Sequence, residues 1–240
     1  MFRQTLSLFK NTTMSRLKTK TVLITGASAG IGEACAKEFA KVGSNLILTA
    51  RRIDRLNELK QLLLSEHPKL KVYTRQLDVR DKSTVDQLVP SLPSDLKDID
   101  VLVNNAGLVK GMDKIGDVSS EDIDTMIDTN VKGLLYVTQA VLPKMRERQK
   151  GHIINIGSIS GKQVYPNAGV YCASKHAVNA ISRTLLNELV DTPIRVTEIN
   201  PAETVIFVAS RPDHVNIADV TVYPVNQASV SSIYRPNAKK

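Results

Sequence analysis

Long hydrophobic runs are missing from this 240-residue chain. No apolar stretch approaches the roughly 18 residues that a membrane-spanning helix needs, so the body reads as soluble. Cysteine is scarce as well. Cys35 and Cys172 stand far apart with no CxxC spacing, which argues against a disulfide framework and fits a reducing, intracellular compartment. The four histidines (His67, His152, His176, His214) form no HExxH-like pair, so no metal site is indicated. No linker rich in Pro, Gly or Ser divides the chain. Its length suits one large domain better than two.

Acidic residues are missing from one place. None precedes Glu33, whereas Arg3, Lys10, Arg16, Lys18 and Lys20 all lie near the start. Phe2, Leu6 and Phe9 would share one helical face. That is the composition of a mitochondrial transit peptide. A plain basic tail, or a start at Met14, would leave the protein in the cytoplasm. Residues 1–17 are therefore read as a basic extension, and 18–240 as the domain. The formal charge is +8, but without those five residues and Lys239 and Lys240 only 25 basic residues face 24 acidic ones. A near-neutral body argues against a nucleic-acid partner.

What the chain does have is alternation. Thr21–Thr25, Asn45–Ala50, Leu70–Arg75, Ile99–Asn104, His152–Gly157, Ile194–Ile199 and Ile217–Tyr223 read as strands. The best of these are continuously apolar, the pattern of strands buried on both faces. Helical patterns fall near Gly32–Lys41, Asp54–Glu66, Lys82–Val89, Glu121–Arg148 and Ala173–Val190. Strand and helix in turn predict a doubly wound α/β fold with a seven-stranded parallel sheet.

The first strand runs into Thr25-Gly26-Ala27-Ser28-Ala29-Gly30-Ile31-Gly32 and then a helix. Glycines permit a tight turn and a close backbone approach to a pyrophosphate, and the helix N-terminus adds a positive dipole end. The required context, strand before and helix after, is met. A tight turn without ligand is the plain alternative. The second strand ends at Ala50 and is followed by Arg51 and Arg52, with no acid before Asp54. Arginine there suits a ribose 2′-phosphate, so NADP(H) is favoured over NAD(H).

Tyr171 and Lys175 stand four residues apart, on one face of a helix. A phenol is a poor base at neutral pH, and a nearby ammonium would lower its pKa. Tyr171 could then exchange a proton with a substrate hydroxyl. None of the other five tyrosines has Lys four residues on. Ser158 closes the fifth strand, where a hydroxyl could bond the substrate oxygen, with Ser160 as its positional rival. Asn130 lies within the expected Glu121–Arg148 helix and could hold a water behind Lys175. Asn104-Asn105-Ala106-Gly107 follows the fourth strand and could line the crevice.

Taken together, the TGxxxGIG loop, the NNAG segment and the set Asn130, Ser158, Tyr171 and Lys175 resemble the short-chain dehydrogenase/reductase family, over the chain from about residue 18 onward. The resemblance implies a Rossmann fold and assigns roles. Tyr171 is the acid/base, while Lys175 lowers its pKa and binds the nicotinamide ribose. Ser158 polarises the substrate oxygen, and Asn130 supports a water relay. Gly26, Ser28, Gly30, Ile31, Gly32, Arg51, Arg52, Ala106, Gly107 and Pro201 would lie along the cofactor. Asp78 and Val79 would sit by the adenine, and Asn105 would support the central sheet. The segments LILTARR, DIDVLVNNAG, TQAVLP, YCASKHAV and IADVTVYPVNQAS are similar to the family's NADP-dependent 3-hydroxy acid dehydrogenases. That implies a small hydroxy acid or alcohol substrate and a homotetramer, with no membrane partner.

One segment departs from that pattern. The family follows its sixth strand with Pro-Gly, a Thr, and a helical lid over the substrate. Here Asn200-Pro201 leads at once into Ala202–Ser210, which looks like the helix after the lid. The sixteen residues Pro201 to Asn216 exceed the roughly 10–12 that a βαβ crossover needs, so the sheet can still close. Without a lid the pocket is open on one side. Two readings follow: a reduced dehydrogenase, or an NADP-binding isoform or paralogue impaired in catalysis.

Overall fold

The apolar runs become strands covered on both faces. The computed structural model describes residues 16–200 and 205–221. Its elements are β1 (Thr21–Thr25), α1 (Gly30–Lys41), β2 (Asn45–Ala50), α2 (Ile53–Glu66), β3 (Val72–Gln76), α3 (Lys82–Asp86), β4 (Val101–Asn104), α4 (Ser120–Ile127), α5 (Leu134–Glu147), β5 (Gly151–Ile156), α6 (Gly169–Glu188), β6 (Ile194–Asn200), α7 (Val205–Ala209) and β7 (Asp219–Thr221). All seven strands pair in parallel, in the order β3-β2-β1-β4-β5-β6-β7. The doubly wound α/β sheet expected from the sequence is the fold observed.

Adjacent strand residues point to opposite faces, and each face has its own core. Ile24, Leu48, Val103, Ile154 and Ile199 pack with Phe39, Leu56 and Val205 of α1, α2 and α7. Leu23, Ile47, Leu102, Ile153 and Val196 pack with Val85, Val137 and Leu185 of α3, α5 and α6. Every residue of β1, β5 and β6 is buried. Leu17 is buried too, and its carbonyl accepts a 2.8 Å hydrogen bond from Ser44 Oγ. The core therefore takes in the last residue of the segment read as an extension. Among the described residues, no helix is long and apolar enough to cross a membrane.

The helix expected over Glu121–Arg148 is not continuous. A π-helical turn, Asp128–Gly133, separates α4 from α5. Gly133 packs on Val79 so closely that a Cβ would lie 2.5 Å from Val79 Cγ2. Helices also start earlier than predicted, α1 at Gly30 and α6 at Gly169. The strand order reverses between β1 and β4, and in open parallel sheets the ligand crevice opens at the carboxyl ends of the strands at such a point.

Candidate active site

The loop after β1 is shaped by backbone limits. Gly30 has φ +57°, a left-handed conformation that favours glycine, and a side chain there would stand in open space. Gly32 is needed for contact: a Cβ would lie 2.5 Å from Asn105 Nδ2 and 2.6 Å from Gly26 O. Ala29 at the start of α1 makes no side-chain cap, which leaves first-turn N–H groups free for an acceptor. Asn105 locks the loop to β4. Its Nδ2 donates to Thr25 O at 2.8 Å and Gly26 O at 3.2 Å, and Thr25 Oγ1 accepts from the Asn105 and Ala106 N–H groups.

This loop floors a cleft of about 410 Å³. Of the residues expected along the cofactor, all but Gly32 and Pro201 line it. Gly32 acts from behind, against Asn105, and Pro201 lies outside the described residues. Arg51 and Arg52 are exposed at the rim, and Arg52 Nη2 donates to Ser28 Oγ at 3.0 Å. Asp78 is held by Arg80 through three contacts of 2.6–3.0 Å, which lowers its pKa. Thr129 also lines the cleft, and its buried hydroxyl has no protein partner. A glycine opening, an uncapped helix start, two rim arginines and an orphaned hydroxyl together fit a phosphorylated dinucleotide.

At the inner end α6 brings Tyr171 and Lys175 to the same wall. Lys175 is 7% exposed, and its ammonium donates to Ile156 O at 2.8 Å. Burial lowers its pKa to about 8, which the Glu198 carboxylate only partly offsets. For Tyr171 burial outweighs the other influences on the phenol. Lys175 Nζ lies 6.0 Å from the centre of the Tyr171 ring, and burial raises the phenol's pKa, opposed by a hydrogen bond from Ser158. Ser158 thus faces Tyr171, whereas Ser160, its positional rival, is turned toward Tyr165 at 3.3 Å.

Asn130 makes direct bonds. Its Oδ1 accepts from Leu108 N–H at 2.9 Å, and its Nδ2 donates to Leu108 O at 2.8 Å and to Ser174 Oγ at 3.0 Å. It ties the loop after β4 to α6, beside Lys175. A second device, absent from the sequence expectations, is a buried polar ladder beneath the site. Asn104 Nδ2 bonds Thr138 Oγ1 and Asn155 Oδ1, and Asn155 Nδ2 bonds Ser182 Oγ, all at 2.9–3.0 Å. This joins α5, β4, β5 and α6. Polar residues inside apolar strands were the available signal.

A two-winged parallel sheet with this cleft and this Tyr–Lys–Ser grouping defines a nucleotide-dependent oxidoreductase scaffold. Residues 20–223 match the family profile of the short chain dehydrogenases, and the chain belongs to that family. It is similar to an NADP-dependent 3-hydroxy acid dehydrogenase of Schizosaccharomyces pombe, at 38% identity over 94% of this chain and all of the relative. Among solved structures, Escherichia coli serine dehydrogenase superposes with a TM-score of 0.83 at 44% identity, covering 87% of this chain and 99% of that one. A closed form of serine dehydrogenase complexed with NADP+ gives 0.84 at 39% identity, covering 90% and 99%. The S. pombe alignment runs over 260 positions but takes in 94% of 240 residues, about 226. Roughly thirty-four positions therefore face no residue here.

Proposed function

We propose that the protein is an NADP(H)-dependent dehydrogenase that oxidises the hydroxyl of a small 3-hydroxy acid. The observation that carries this is the meeting of Tyr171, Ser158 and Lys175 at the inner end of a cleft that fits the cofactor. When bound, NADP+ supplies the hydride acceptor and a positive ring charge. Ser158 holds the substrate oxygen. Tyr171 takes the hydroxyl proton, which requires the phenolate. Burial disfavours that charge, so the cofactor's charge and the Lys175 ammonium must restore it. Arg51 and Arg52 hold the 2′-phosphate, and Asn130 positions the Leu108 backbone at the nicotinamide end. The same reading makes the protein an intracellular homo-oligomer, a tetramer by family resemblance, which light scattering would test.

The test is single-turnover oxidation of L-serine or 3-hydroxypropionate with NADP+. NADPH should form in proportion to enzyme. A second reading is NADP binding without turnover. It is favoured by the roughly thirty-four unmatched positions and by the short β6–β7 crossover, where α7 supplies one five-residue helix. Cofactor binding with no NADPH formed across a range of enzyme concentrations would decide for that reading.

A further inference from the structure

The opposite end of the sheet holds a second cavity, of about 230 Å³, where β1, β4, β5 and β6 begin. It lies one strand length from the cleft, on the order of 15–20 Å. Its charges do not balance. Asp100 Oδ1 is approached by three cations: Lys20 Nζ at 3.5 Å, Lys150 Nζ at 3.4 Å and Arg148 Nη1 at 3.8 Å. Its other oxygen accepts the Thr21 N–H at 3.1 Å. Asp98 reaches Arg148 Nε from the solvent side at 3.6 Å.

The fourth cation, Arg195, is 9% exposed and donates to the Val208, Ala209 and Arg211 carbonyls, which carry no formal charge. Arg16 and Arg211 also line the cavity, and Asp213 is the one other acid there. Six cations thus share three carboxylates, Asp100 and Asp213 in the cavity and Asp98 outside it. Burial first, and then the neighbouring Lys150 ammonium, lower the pKa of Lys20, whereas that of Lys150 is raised by its contact with Lys20.

We propose that this cavity is a binding site for a small phosphate-bearing anion, either inorganic phosphate or a phosphate monoester. Cations held in a concave, partly buried site focus a positive potential, and arginine pairs bidentately with phosphate oxygens. The volume admits a phosphoryl group with a small body and no nucleic-acid strand. Arg195 already ties β6 to α7, so an anion here would fasten the crossover to the β4–β5 end of the sheet.

Thermal unfolding of the full chain tests this, at constant ionic strength set with sodium chloride. Addition of about 10 mM inorganic phosphate should raise Tm by about 3 °C. A parallel arm with glycerol 3-phosphate separates the two sources, the larger rise marking the preferred one. The Lys20→Gln/Lys150→Gln variant should lose the rise. Arg51→Gln/Arg52→Gln, which removes the two rim cations of the cofactor cleft, should keep it. In phosphate-free buffer Lys150→Gln should unfold no lower than the parent, because Asp100 keeps two cations. Should the double variant not fold, Lys150→Gln alone should show about half the phosphate rise. A rise that survives Lys20→Gln/Lys150→Gln, disappears in Arg51→Gln/Arg52→Gln, or is matched by chloride overturns the proposal. So does a drop of several degrees for Lys150→Gln without phosphate, which would mark an ordinary ion pair.

Discussion

The two sides of the catalytic cleft are built differently. On the cofactor side the loops are held by neighbours: Gly32 under Asn105, Asn105 on Thr25 and Gly26, Asn130 on Leu108 and Ser174. On the substrate side large apolar groups stand in the open, Ile115 at 78% and Val164 at 73% exposure. They border an open hollow with Tyr165, Pro166, Cys172 and His176. The cofactor side grows from strand ends, which a parallel sheet fixes as it forms. A substrate wall needs extra chain, and the crossover between Asn200 and Asp219 is short. Scaffold and proton machinery can persist while the wall is reduced.

The largest effect should come from removing the proton carrier. Tyr171→Phe should cut kcat by about 10²–10⁴ and leave NADPH binding intact, measured by cofactor fluorescence. Equal loss of binding would mean that Tyr171 builds the cleft rather than acts in it. Next in size is the rim. Arg51→Gln/Arg52→Gln should weaken NADPH by about 10–100-fold, with little change for NADH, since charge-assisted bonds contribute about 1.5–3 kcal/mol. An equal effect on both cofactors would remove the assignment of these arginines to the 2′-phosphate.

Lys175 offers a test without substrate. Burial takes its pKa from 10.5 to about 8. Between those values the unfolded chain keeps a proton that the folded chain has lost. Stability must therefore rise as pH increases from about 8 to 10.5. Below about 8 the cost of burying the ammonium is fully present, about 3 kcal/mol. Urea unfolding across that window should show the rise in the parent and a flat response in Lys175→Met. A parallel rise in both would place the titration elsewhere.

Much of the cofactor side could be read from the residues alone. Short continuous apolar runs such as Val22–Ile24, bounded by glycine at one end, fit two-sided strands, and glycine spacing between strand and helix carries a steric meaning that local sequence contains. The tertiary consequences could not be read in that way. The π turn at Asp128–Gly133 depends on Val79 and Leu108, which meet it only in the fold. The direction of the Tyr171 shift depends on burial, which an i, i+4 pair does not report. The Asn104–Asn155–Ser182 ladder links residues 51 and 27 positions apart, and each looks unremarkable by itself.

The smallest effects should fall on the open side, and they give the comparison its sharpest form. Ile154, on the sheet, is fully buried, and Ile154→Ala should cost about 2–5 kcal/mol through lost burial and the cavity left behind. Val164→Ser removes a comparable amount of hydrocarbon, but the side chain is already in water, so its cost should stay within about 0.5 kcal/mol. Ile115 is the instructive intermediate. It is largely exposed, yet its Cγ1 approaches Gly169 so closely that a Cβ there would lie 2.6 Å away. Ile115→Ser should therefore cost slightly more than Val164→Ser, and both far less than Ile154→Ala, in matched urea titrations. A loss of 2 kcal/mol or more for Val164→Ser would mean that this face is covered in solution, and the contrast between a held side and a bare one would fail.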